Sequence, residues 1–157
     1  MVRAVENLPG FRPGDRDSEI LRYVTDYRFL TSKQIVALTG GYKTNIEKRL
    51  SKLFHHGYLD RRWDAGEKPW ERGPAIYQLA RPGAELLAQI SGNDPAEFEF
   101  SIKRNQVKQP FLQHALMISH IRAVFTLAAR TRQDVSLAFW RQDKDVRDSV
   151  SIGNDPL

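Results

Sequence analysis

Apolar side chains recur along the first part of the chain with a helical period, which gives way to a strand-like period at Gly57. In TNIEKRLSKLFHHGYL, Thr44 to Leu59, the residues Ile46, Leu50, Leu53 and Phe54 are spaced i, i+4, i+7, i+8, the stripe of an amphipathic helix. At about 100° per residue, Asn45, Lys48, Lys52 and His55 fall on the opposite face, flanked by Arg49 and Ser51. Thr44 is expected to cap this helix, Glu47 to close a capping box and Gly57 to stop it. Upstream, a first helix is expected from near Asp17 through EILRYVTDYRF, burying Ile20, Leu21, Val24 and Tyr27. In LTSKQI, Thr31 and Gln34 have the spacing of a reciprocal capping box, with Leu30 placed to staple onto Ile35. That second helix is expected to end at Gly40-Gly41, where a tight turn needs positive φ. After Gly57, Tyr58 to Trp63 and Ala75 to Leu79 read as paired strands around a long, charged tip, Asp64 to Pro74. Three helices and a two-stranded ribbon, in that order, predict a winged helix-turn-helix, followed by a fourth helix in PGAELLAQI that ends near Gly92.

Beyond the linker SGNDP, Asp94 with Pro95 and Glu97 marks another helix start. The longest helix is expected from Phe111 to Arg130 and is apolar around most of its circumference. Its surface exceeds what one small domain covers, so a second chain or the terminal strand VSLAFW, Val135 to Trp140, should lie on it. The fold class expected is therefore α+β, mainly helical: a winged helix-turn-helix with a C-terminal long helix and strand extension. Residues 1–15, with Pro9, Gly10, Pro13 and Gly14, read as a flexible arm; 16–91 form the winged domain; 92–157 form the extension, which reads as the start of a longer sheet domain.

Composition narrows the function. The 157 residues carry a formal charge of +5 and a pI near 9.6, which fits a polyanionic partner. No cysteine is present, which excludes disulfides, thiolate metal sites and cysteine nucleophiles and suits a reducing cytoplasm. The N-terminus lacks the apolar run of a signal peptide, and no segment is expected to approach a membrane span. His55 and His56 are adjacent, and His114 and His120 are six apart; neither pair has metal-ligand spacing. No phosphate-binding loop and no nucleophile elbow occurs, and the acidic residues of WRQDKD after the last strand lack a second carboxylate-lysine set. The chain is expected to be no enzyme, with no cofactor, no metal, no membrane and no identifiable small-molecule ligand.

The basic third helix is open to two readings. Lysines on an exposed helix face are ordinary solvated charge. Against that, Lys43 to Arg62 holds six basic residues (Lys43, Lys48, Arg49, Lys52, Arg61, Arg62) and two acidic ones, Glu47 and Asp60, a local excess of four positive charges. The helix follows a tight turn as a recognition helix does, with Lys43, Thr44 and Asn45 placed to approach base edges and Lys48, Arg49 and Lys52 to hold the groove walls. Arg61 and Arg62 at the base of the ribbon, and Lys68, Trp70 and Arg72 at its tip, would position the wing on the backbone or in a minor groove. Trp70 has two readings, exposed at the tip or folded back on the ribbon.

The sequence LTSKQIVALTG, then KRLSKLFHHGYLDRR, IYQLARPGAELL and HALMISHIR, resembles the replication-relaxation family of bacteria and mobile elements. The helix-to-strand junction matches at Arg49, Leu50, Leu53, Gly57, Tyr58 and Leu59, and the second wing strand at Tyr77, Leu79 and Gly83, with Ala80 where threonine is usual. A helix motif matches at His114, Leu116 and Ile118, followed by Arg122. The resemblance covers about Ser18 to Arg130. It implies a winged helix-turn-helix with a DNA-binding role in plasmid or mobile-element replication, transfer or control. The expectation is thus a cytoplasmic, homodimeric, non-enzymatic protein that binds double-stranded DNA, including in transcription regulation. The competing expectation is a protein-protein adaptor that assembles through the winged domain and the apolar helix.

Overall fold

The computed structural model describes residues 10–63, 73–94 and 107–141. Helix α1 spans Asp15–Tyr27 and buries Ile20, Leu21, Val24 and Tyr27, the stripe expected from the sequence. Its start lies two residues earlier than expected because Asp17 turns back on it: the Gly14 N–H donates to the Asp17 carboxylate at 2.9 Å. Its end is abrupt. Arg28 takes φ 71°, and the Phe29 N–H closes a three-residue turn onto the Tyr27 carbonyl at 2.9 Å. That turn drives Phe29 and Leu30 into the interior, where both are fully buried.

Leu30–Thr31 form a short strand, β1, which the chain's periodicity does not announce. Helix α2, Ser32–Thr39, follows directly, and its capping box is present in full: Gln34 N–H to Thr31 Oγ1 at 3.2 Å and Thr31 N–H to Gln34 Oε1 at 2.8 Å. Gly40 and Gly41, at φ 68° and 89°, reverse the chain in the left-handed region that other residues avoid. Helix α3 spans Lys43–His55 and buries Ile46, Leu50, Leu53 and Phe54. The expected Thr44 cap and its box with Glu47 do not form. The Tyr42 carbonyl already accepts from the Asn45 and Ile46 amides, so the helix begins at Lys43 and Thr44 lies within its first turn. Glu47 instead faces Lys43 at 3.8 Å.

Strands β2, Leu59–Trp63, and β3, Ala75–Leu79, pair antiparallel from Leu59↔Leu79 to Trp63↔Ala75. On the other edge of β3, β1 pairs with Leu30↔Tyr77 and Thr31↔Ile76, giving the order β1-β3-β2. Helix α4, Arg81–Ser91, ends at Gly92 with φ 70°. It comes so close to the end of α3 that a Cβ on Gly83 would lie 2.3 Å from the Tyr58 carbonyl oxygen. The main core joins α1, α2, α3, the ribbon and α4 around residues such as Leu21, Ile35, Leu50 and Leu59. Each such side chain contributes about 1.5–3 kcal/mol on burial.

Helix α5, Gln109–Arg130, lies along this unit rather than apart from it. Leu112 joins Phe29 and Ile76 in a small second cluster, and Ala123 enters the main core. Ser119 Oγ donates to the Tyr27 carbonyl at 2.7 Å, and the Tyr27 and Thr126 hydroxyls are 2.7 Å apart. Arg122 donates to the Asp26 carbonyl with its guanidinium 4.4 Å from the Tyr27 ring centre. Arg130 donates to the Leu38 carbonyl at 2.6 Å and to the Tyr23 hydroxyl. The turn at Arg28 is thereby clamped from outside.

Three expectations need correction. Val135 to Trp140 is not a strand: it pairs with no ladder among the described residues, and Val135, Leu137 and Phe139 stay exposed, so it does not cover α5. Alternation alone does not make a strand without an edge to bond to. The arm expected over residues 1–15 is ordered from Gly10 onward. Asp15 is helical, and Phe11 packs on His56 with ring centres 5.0 Å apart, near Tyr58. Residues 1–9 lie outside the described residues. Finally, Pro110–Arg130 is long and apolar enough to cross a membrane by length and composition, contrary to the expectation that no segment approaches this. Arg122 and Arg130 are the only Lys, Arg, Asp or Glu residues in it.

Candidate nucleic-acid interface

The solvent face of α3 follows from its buried one. With Ile46, Leu50 and Leu53 turned to the core, Lys43, Thr44, Asn45, Lys48 and Lys52 are exposed. Along this face runs an open groove of about 430 Å³, lined by Arg16, Tyr42, Asn45, Lys48, Arg49 and Lys52, with Phe11 and Gly41 at its edges. Asn45, Lys48, Arg49 and Lys52 were singled out from the sequence and are brought together here.

The cations differ in what already holds them. Arg49 reaches the buried carboxylate of Asp17, with Nη1 3.0 Å from each oxygen, so its guanidinium ties α3 to α1. Arg16 is paired with Glu19 at 2.7 Å and donates to the Gly40 carbonyl at 2.9 Å, which fixes the turn between α2 and α3. Lys52 has its ammonium 5.9 Å from the Phe11 ring centre. Lys48 makes no ion pair among the described residues. Lys48 and Lys52 are therefore the two groove cations whose charge no carboxylate among the described residues neutralises.

Sequence reasoning missed Tyr42. It is 82% exposed, the most of any large hydrophobic residue described, and stands at the N-cap of α3 on the groove wall. Its signal was its position directly after the double glycine, outside both the α2 and α3 stripes. Arg16 and Phe11 were missed because they join the groove by tertiary packing.

The base of the ribbon is more committed to the fold than expected. Arg61 lies 4.1 Å from the Phe54 ring centre and 4.9 Å from that of Trp63. Burial pushes the Tyr77 hydroxyl above the usual phenol range, against the opposing pull of Arg61. Arg62 makes long contacts, 3.4 and 3.5 Å, to the Val107 carbonyl. Lys68, Trp70 and Arg72 lie outside the described residues. Helix α3 is thus held at its start by the glycine turn and keeps one face exposed.

The model of the family described as Replication-relaxation matches residues 21–151, most of the chain. No curated protein and no solved structure gives a match.

Proposed function

The chain belongs to the replication-relaxation family, and we propose that it is a non-enzymatic double-stranded DNA-binding protein acting in the replication, transfer or transcriptional control of a plasmid or other mobile element. In this reading α3 is the recognition helix. Lys48 and Lys52 bind phosphates on the groove walls, Lys43, Thr44 and Asn45 approach base edges, and the ribbon lies beside the helix on the backbone. The observation that carries the reading is the pairing pattern in the groove: Arg16 and Arg49 are neutralised by Glu19 and Asp17, while Lys48 and Lys52 stay exposed and uncompensated among the described residues. Two uncompensated positive charges thus lie one turn apart on the helix face that the turn presents outward.

The test is a salt titration of binding to random-sequence duplex. Lys48→Ala with Lys52→Ala should leave the melting curve intact and flatten the salt dependence by up to about 0.9 log units for each phosphate no longer neutralised. Lys33→Ala with Lys108→Ala removes the same charge from exposed positions elsewhere and should flatten it far less. Equal effects from the two pairs would reduce the binding to net charge and refute the assignment to α3.

A further inference from the structure

Helix α5 has two apolar faces, and its own core takes only one. Leu112, Ser119 and Ala123 point inward, and half-buried Ala115, Arg122 and Thr126 flank them. On the opposite side His114, Met117, Ile121, Val124 and Ala128 follow one another at alternating steps of three and four, the spacing of a coiled-coil seam. Met117 is 61% exposed, and Phe111 and Phe125, which flank the seam, are 67% and 57% exposed.

We propose that this seam pairs, antiparallel, with the same seam of a second copy of the chain. Three observations select that occupant. First, the outer face carries no arginine, lysine or carboxylate. Both arginines of α5 are turned inward onto carbonyls of α1 and α2, and the helix has no acidic residue. Two copies therefore meet without like-charge repulsion. Second, the stripe repeats itself when reversed about Ser119. Met117 then meets Ile121 of the second copy, and His114 meets its Val124, as an isologous two-fold interface requires. Third, the area suffices. With side chains of this size, the exposed parts of Phe111, Met117, Ile121, Val124 and Phe125 come to roughly 500 Å² per chain, near the upper end for a monomer's largest apolar patch. Two copies bury about 1,000 Å², the lower bound of a specific interface. The neighbouring Val135 to Phe139 does not compete for the face, because it lies exposed itself. This inference does not depend on DNA binding and survives its failure.

Sedimentation of the full chain at about 10–100 μM should give twice 18.1 kDa. Ile121→Glu should return it to one chain mass and remove the concentration dependence of the melting temperature. It should match the wild type in melts diluted until the wild type sediments as one chain, since Ile121 is exposed in the monomer; Val124→Lys should repeat the result. Because the chain has no cysteine, pairing direction can be read by oxidation. His114→Cys with Val124→Cys should give covalent dimers. His114→Cys alone should not, since antiparallel seams hold the two copies of residue 114 about 15 Å apart along the axis. A wild-type mass of one chain, a dimer indifferent to Ile121→Glu, or covalent dimers from His114→Cys alone would each overturn the proposal. So would flotation with phosphatidylcholine vesicles that is abolished by Ile121→Glu, which would assign the face to lipid.

Discussion

Asp17 is the sharpest point at which fold and candidate interface can be separated. Its carboxylate is buried, accepts from the Gly14 N–H at 2.9 Å, and meets Arg49 Nη1 at 3.0 Å through both oxygens. Replacing it with alanine removes the first-turn acceptor of α1 and its interaction with the helix dipole, together about 1–2 kcal/mol. It also removes the charge-assisted bond with Arg49, about 1 kcal/mol once discounted for a guanidinium that is part exposed. The sum, about 2–3 kcal/mol, corresponds to a fall in melting temperature of roughly 5–10 °C for a chain of this size. Asp17→Asn keeps an oxygen for Gly14 and should cost about 1 kcal/mol, mostly from the missing ion pair. The same change frees Arg49 on the groove wall and removes a negative charge beside it. Affinity for random duplex, measured on the folded fraction, should therefore hold or rise while stability falls. Urea titration and a duplex-binding isotherm on the same samples suffice. If Asp17→Asn left stability within about 0.5 kcal/mol of wild type and weakened binding, Arg49 would not be held by Asp17, and the division between fold-bound and free cations would be wrong.

Two further outcomes follow from other sites. Gly83→Ala should cost more than about 3 kcal/mol or abolish folding, because the new methyl meets the backbone oxygen of Tyr58 and not a movable side chain; a circular-dichroism melt within a few degrees of wild type would show that α4 can shift. Burial holds the Asp26 carboxyl above the usual carboxylate range, against the opposing charges of Arg122 and Arg22. The folded state thus binds that proton more tightly than the unfolded chain, so the ionised form is a cost at neutral pH that is relieved as pH falls toward the raised value. Asp26→Asn should be the more stable of the pair at pH 7, and its advantage should shrink on acidification in paired melts; an advantage that grows on acidification would contradict the assigned direction.

Much of the fold could be read from spacing because its determinants are local. The stripes of α1 and α3, the Thr31–Gln34 box and the glycines at 40, 41 and 92 each act within a turn or two of the chain. What was missed is set by contacts between distant residues. β1 has two residues and no period, and exists because the Arg28 turn delivers Leu30 opposite Tyr77. Asp17 marks only a helix start in the sequence, and its ion pair forms because α3 brings Arg49 over it. The candidate interface was half legible. Periodicity turned Lys48 and Lys52 outward, but it could not tell which cations the fold itself holds, since Arg49 and Arg61 find their partners across the tertiary structure.

Thr31 belongs to two hydrogen-bonded systems at once. It sits opposite Ile76 on the outer edge of β3, and its amide and hydroxyl close the first turn of α2. Both edges of β3 are occupied, by β1 on one side and β2 on the other. Thr31 thus joins the start of α2 directly to the sheet through hydrogen bonds of both elements. Amide protons at Tyr77 and Gln34, in different kinds of secondary structure, should therefore exchange with a common opening free energy, as parts of one cooperative unit.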